Sequence, residues 1–157
     1  MTDNNQGKAA WRAGYNQRPV QQAANLPSLP SLLTENGKLN AELFKEELLT
    51  QIAKAIQNVS KSQMRKVFDE VKRHKFALEA GQKWEDIYPQ VLMQKAKISY
   101  LCKRKSEDNK IDESYYNNLK KLIFQLADDC RSAESYKAYA TFLEALYGYY
   151  YEIARRK

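Results

Sequence analysis

Five stretches between positions 41 and 155 repeat apolar residues every three or four places, and no alternation of period two lasts long enough to make a strand. Glycine, the usual residue of tight strand-to-strand turns, numbers only five. Such a chain has to bury the apolar stripes of its helices against one another. The expected fold is therefore all-α, a compact bundle of about five helices with a flexible N-terminal arm. At 157 residues the chain is long enough for one domain with a proper core.

The most informative stretch is Ser60-Lys-Ser-Gln-Met-Arg-Lys-Val-Phe-Asp-Glu-Val-Lys-Arg-His-Lys75. Ser60 with Gln63 has the spacing of a capping box, and Met64, Val67, Phe68, Val71 and Leu78 share one helical face. Lys61, Arg65, Lys72 and Lys75 fall in an arc of roughly 80° beside that face, along about 21 Å of axis. A row of cations beside a buried seam lets a helix rest on a core while offering a track to phosphates. The plainer reading of the same row is a solvated charged face.

Residues 1–36 are rich in Asn, Gln, Ala, Ser and Pro, with Pro19, Pro27 and Pro30 set to prevent a long helix. They read as a flexible arm on which Trp11, Arg12, Tyr15 and Arg18 could order against a partner, and residues 37–157 read as a single α-helical domain. Asn40 caps a first helix over about 41–58, with Phe44, Leu48, Ile52, Ala55, Ile56 and Val59 inward and Leu43 off that face toward a neighbouring segment. The second helix ends near Gly81. Pro89 suits the first turn of a third, about 89–105, whose apolar residues run nearly all the way round and predict a central helix. A fourth helix spans about 113–131, with Phe124 pointing away from its inward face. In the fifth, about 135–155, the apolar arc is roughly 200° wide, well over the ~100° that packing on one side requires.

Twenty-six Lys and Arg against 19 Asp and Glu leave a formal charge of +7, which favours a polyanionic partner. No apolar run approaches membrane-spanning length and no hydrophobic signal segment opens the chain, so a cytoplasmic protein with no membrane partner is expected. Cys102 and Cys130 stand far apart and read as two buried thiols on helices, not a disulfide or a metal site.

Catalytic machinery should show as polar groups able to converge. There is no glycine-rich phosphate loop and no zinc-protease motif, and the single histidine, His74, projects toward the apolar side of its helix. Asp69-Glu70 and Asp128-Asp129 are adjacent pairs whose side chains diverge by about 100°, which does not build a two-metal cluster. The chain reads as a binder, with no catalytic residue, metal or cofactor. The aromatic C-terminus offers Tyr136, Tyr139, Phe142, Tyr147, Tyr149, Tyr150 and Tyr151, which at helical spacing read as core plus subunit interface before base stacking. Tyr149 and Tyr151 are the pair expected at the exposed margin.

Three stretches taken in order carry a resemblance: the Ser60 segment above, then Tyr88-Pro-Gln-Val-Leu-Met-Gln-Lys-Ala-Lys-Ile-Ser-Tyr100, then Tyr136-Lys-Ala-Tyr-Ala-Thr-Phe-Leu-Glu-Ala-Leu-Tyr-Gly-Tyr-Tyr150. From about residue 40 to the C-terminus the chain resembles the small helical subunit of the type III-A CRISPR effector, the Csm complex. The resemblance implies a non-catalytic subunit of an antiviral ribonucleoprotein, present in several copies that stack along the guide RNA–target RNA duplex beside the large and backbone subunits. The family's basic residues after the helix cap fall here on Lys61, Arg65 and Lys66, and its Lys-x-x-x-x-Tyr pattern on Lys95 and Tyr100. Where family members often carry Gly-Arg after that tyrosine, this chain has Leu101-Cys-Lys-Arg104.

Cations that neutralise phosphates without reading bases fit such a role, since sequence recognition falls to guide pairing. The expected RNA contacts are Lys61, Arg65, Lys72, Lys97 and Arg104, with Lys66, Arg73, Lys95 and Lys103 in support. They are expected to gather in one furrow. The alternative is a helical scaffold that joins larger subunits and never touches nucleic acid.

Overall fold

A computed structural model describes residues 22–154. They form five α-helices, α1 (Glu46–Ala55), α2 (Lys61–Glu79), α3 (Trp84–Asp108), α4 (Glu113–Asp129) and α5 (Ala133–Ile153), with 3-10 turns at Ala41–Phe44 and Lys110–Asp112. Among the described residues there is no strand, only a bridge between Leu33 and Leu39 across a turn in which Gly37 takes a φ of 72°. The all-α expectation holds, with five helices.

Helix α5 is the axis of the bundle. It packs along α1 and α2, while α3 and α4 pair along their lengths. Tyr136, Tyr139, Phe142, Leu146 and Tyr150 are each at most 1% exposed, and Ala138 and Ala140 at the two margins are buried as well, so the whole of the wide apolar arc of α5 is covered.

The third helix is not the central one, contrary to its expected role. Its buried residues are Ile87, Val91, Gln94, Ile98 and Cys102, a single stripe at spacings of three and four, and Leu92, Met93 and Tyr100 face solvent. Apolar residues all round a helix show that two faces are able to bury, and here α4 and α5 cover only one. The helix also starts at Trp84, five residues earlier than expected, with Pro89 inside it. Pro89 removes one ladder bond close to the start, where Glu85 and Asp86 favour the positive end of the helix dipole.

The first helix divides as well. Lys45 is extended (φ −65°, ψ 131°) between the 3-10 turn and α1, and the break resets the helical phase. Leu49 and Ala53 are therefore buried in place of Phe44 and Leu48, which stay half-buried. Leu43, off the predicted face, is fully buried. The ends of α2 follow the expected chemistry. Ser60 Oγ accepts from the Gln63 amide (3.3 Å), and Gly81 (φ 101°) closes a Schellman motif with Gly81 N–H to Leu78 O (3.1 Å) and Gln82 N–H to Ala77 O (3.0 Å). The complete reciprocal capping box lies at Ser132 and Ser135, ahead of α5.

Of the arm expected over 1–36, residues 1–21, including Trp11, Arg12, Tyr15 and Arg18, lie outside the described residues. Residues 22–36 differ from a free arm, because they run over α4. Leu32 is 1% exposed, and its N–H donates to Asp129 Oδ2 (2.8 Å). Ala23 N–H donates to Ser114 Oγ (2.9 Å), and Asn118 Nδ2 donates to the carbonyls of Ala24 and Ala55 (both 2.9 Å). Buried backbone groups must find partners, and α4 supplies them through side chains. Leu32→Ala is expected to cost about 2–5 kcal/mol in chemical denaturation, as for other buried leucines. A cost near zero would detach this segment from the core.

Candidate nucleic-acid interface

The cations of α2 divide between its two edges. Lys61, Arg65 and Lys72 lie on the edge toward the end of α5. The Lys61 ammonium stands 4.2 Å from the Tyr151 ring centroid, and Phe68, beside Lys72, stacks on Tyr147 at 5.0 Å. Lys72 Nζ lies 5.6 Å from the Phe68 ring and 5.7 Å from Phe76, which is 55% exposed. Arg65 meets Asp69 at 3.8 Å with both side chains mostly in water, a contact worth about 0–1 kcal/mol.

Half a turn around α2, Glu70 faces α3 and takes Lys97 Nζ at 3.3 Å. Arg73 follows Glu70 by three residues and so neighbours it on this flank of α2. Lys66 and Arg73, seven residues apart, share this flank of α2, and Arg104 follows Lys97 by the same seven along α3. Lys95, only two residues from Lys97, turns to the other side of α3 and binds Asp128 of α4 at 2.7 Å. Lys103 pairs with Glu107 at 3.8 Å.

The predicted cations therefore form two tracks instead of one furrow. Lys61, Arg65 and Lys72 are one; Lys66, Arg73, Lys97 and Arg104 flank the other; Lys95 belongs to neither. Among the described residues, Lys61, Lys66, Lys72, Arg73 and Arg104 have no carboxylate oxygen within 4.0 Å. Their charge is the part of the site left uncompensated.

The aromatic residues expected at a subunit interface also sort by depth. Tyr136, Tyr139, Phe142 and Tyr150 are buried in this chain's own core and offer no surface to another molecule, because α1, α2 and α3 already occupy their faces. Tyr147 and Tyr149 are half-buried, and Tyr151 is 55% exposed. Phe76 was not singled out from the sequence, although its position four residues after Lys72 carried the signal. Nor was Arg131, which with Trp84, Tyr88, Leu92, Lys95 and Asp128 lines a cavity of about 330 Å³ between α3 and the end of α4.

His74 is buried, and its Nδ1 lies 3.1 Å from the Tyr136 hydroxyl. Burial lowers its pKa below the ordinary 6.5; Glu70 opposes this, while Arg73 and Lys97 reinforce it. Cys102 donates its thiol to the Tyr116 carbonyl (3.0 Å), and burial pushes its pKa up to about 11. Burial also raises the Cys130 thiol, so both cysteines are inert, free and internal.

Among the described residues no three His, Cys, Asp or Glu side chains group to hold a metal ion, and no helix is long and apolar enough to cross a membrane. Fold and site together define a small all-α protein whose uncompensated cations lie on α2, with Arg104 on α3. Residues 40–154 match the family model described as Csm2 Type III-A. The chain belongs to that family, the small subunit of the type III-A CRISPR effector complex. No curated protein and no solved structure matches it.

The lowered His74 pKa makes the folded state bind fewer protons than the unfolded one as pH falls through 6.5. Stability is thus fully present above that value and declines below it, down to the folded-state pKa. Urea midpoints measured from pH 7.5 to 5 should fall for the natural chain and fall less for His74→Gln, which keeps a partner for Tyr136. Equal slopes in the two proteins would remove His74 as the source.

Proposed function

We propose that the chain is a non-catalytic, cytoplasmic small subunit that stacks in several copies along the guide RNA–target RNA duplex of a type III-A antiviral ribonucleoprotein. In this reading it grips phosphates through α2 and adds no chemistry of its own. The observation that carries it is the uncompensated charge of Lys61, Lys66, Lys72, Arg73 and Arg104, five cations without a carboxylate neighbour among the described residues. A cation already paired gains little by exchanging its carboxylate for a phosphate, whereas a free one releases a counterion from the nucleic acid. Lys61 and Lys72, with Arg65 held only by a 3.8 Å contact to exposed Asp69, are the primary contacts, because they share an edge with the aromatic rings of Phe76 and Tyr151, against which a ribose or base can rest. Lys66, Arg73 and Arg104 serve a second strand or a neighbouring turn.

A pure scaffold that joins the large and backbone subunits without touching RNA is favoured by one specific observation. Lys95 and Lys97, two of the expected contacts, are committed to Asp128 and Glu70 of this same chain in surface ion pairs. The two readings part in a salt series. Filter binding of the assembled complex to RNA should lose slope on Lys61→Ala/Arg65→Ala/Lys72→Ala, by about 0.7 log units per decade of salt for each phosphate contact removed from a single strand. Helicity should stay unchanged. An unaltered slope with intact assembly would leave the scaffold reading in place.

A further inference from the structure

The cavity of about 330 Å³ between α3 and the end of α4 combines two kinds of chemistry that the fold leaves open. Its apolar part comes from α3. Trp84 and Tyr88, one turn apart, hold their rings 5.6 Å from each other, and Leu92 follows one turn later. Tyr88 is 43% and Leu92 49% exposed, so a ligand can reach these faces. The polar part is Lys95, Asp128 and Arg131. Lys95 and Asp128 neutralise each other at 2.7 Å, whereas exposed Arg131 has no carboxylate oxygen within 4.0 Å among the described residues. Asp129, next to Asp128, is taken up by the Leu32 N–H (2.8 Å). The lining therefore carries one uncompensated positive charge beside two aromatic rings.

We infer that this cavity binds a single nucleotide, its base laid on the rings of Tyr88 and Trp84 and its phosphate held by the Arg131 guanidinium. The volume is at the low end of small-molecule sites, about 300–1,000 Å³, which suits one nucleotide and excludes a helix or a duplex. Aromatic faces take any base by stacking, and a guanidinium fork matches two phosphate oxygens. The Lys95–Asp128 pair adds a donor and an acceptor for ribose hydroxyls or the base edge. An aliphatic carboxylate would satisfy Arg131 and leave the rings bare; a neutral aromatic would do the reverse. A nucleotide carries both groups at the right size. The same chemistry is offered by a free mononucleotide and by the phosphorylated end of an RNA strand. The site lies on the side of α3 turned away from Lys97, apart from both cationic tracks, and is independent of the phosphate grip proposed for α2.

Trp84 reports on its own site. The chain has two tryptophans, so Trp11→Phe in the full-length protein leaves Trp84 as the only indole, and a base stacked beside it quenches its fluorescence. Adenosine monophosphate should quench saturably at millimolar concentration or below, adenosine should bind about tenfold more weakly, and inorganic phosphate alone should not quench. Arg131→Ala should weaken the monophosphate by about the same factor and leave adenosine unchanged, whereas Tyr88→Ala should weaken both. Both side chains are exposed, so circular dichroism should match the parent in each variant. Saturation by the monophosphate makes a free nucleotide sufficient. A response only to a terminally phosphorylated RNA tetranucleotide, again lost in Arg131→Ala, assigns the site to a strand end. Silence toward both ligands would overturn the inference. So would quenching that inorganic phosphate reproduces, or a response that Arg131→Ala leaves intact.

Discussion

Three tyrosine hydroxyls hold the bundle in register. Tyr150, Tyr139 and Tyr136 line one face of α5 at different heights, and each reaches a separate partner. Tyr150 donates to the Val59 carbonyl ahead of α2, Tyr139 to Gln94 Oε1 of α3 (3.0 Å), and Tyr136 meets His74 Nδ1 near the far end of α2 (3.1 Å). Burial raises the pKa of all three phenols, so they stay protonated as neutral partners. A made hydrogen bond of this kind contributes about 0.5–1.5 kcal/mol, but an orphaned buried group costs about 1–3 kcal/mol. Apolar packing alone would let α2 slide or rotate by one residue on α5. Polar anchors before its first turn and near its last forbid that, and thereby decide which cations of α2 look outward.

This dependence explains which parts of the architecture were legible in the sequence. The helices announced themselves by period and by local chemistry: Ser60 at the head of α2, Gly81 behind it, and the breadth of the α5 apolar arc all act within a few residues. The errors arose where tertiary contacts chose between locally equivalent outcomes. Apolar residues circling α3 looked like burial on every side, yet only the stripe through Ile87, Gln94 and Cys102 found cover. Residues 22–36 carry the composition of a loose arm, and what holds them is the Asp129 carboxylate, 97 residues on from Leu32. Helix α1 lost its first turn because Lys45 is extended, a backbone choice that no periodicity records.

The candidate site was legible in kind and illegible in arrangement. That α2 is cationic follows from its residue list; that Lys97 is neutralised follows from Glu70 27 positions earlier, and Lys95 from Asp128 33 positions later. A wheel drawn for one helix places charges about that helix only. Lys95 and Lys97 are near neighbours in sequence, but a difference of about 200° around α3 sends them to different carboxylates and removes both from a shared track.

The two edges of α2 consequently differ in more than position. On the α3 side, Glu70 is mostly buried and Lys97 stays over it, so part of that positive charge is spent internally and a phosphate would have to compete with a fixed acid. On the α5 side Asp69, the one acid paired with these cations among the described residues, is exposed and only loosely met by Arg65, while Lys61 and Lys72 lean on aromatic faces. Ring contacts hold an ammonium in place by about 0.5–1 kcal/mol at exposed sites without cancelling its charge. An incoming polyanion therefore finds on this edge cations that are already positioned and still charged. Aromatic support in place of carboxylate support separates a cationic stripe able to take phosphates from one that serves only the fold.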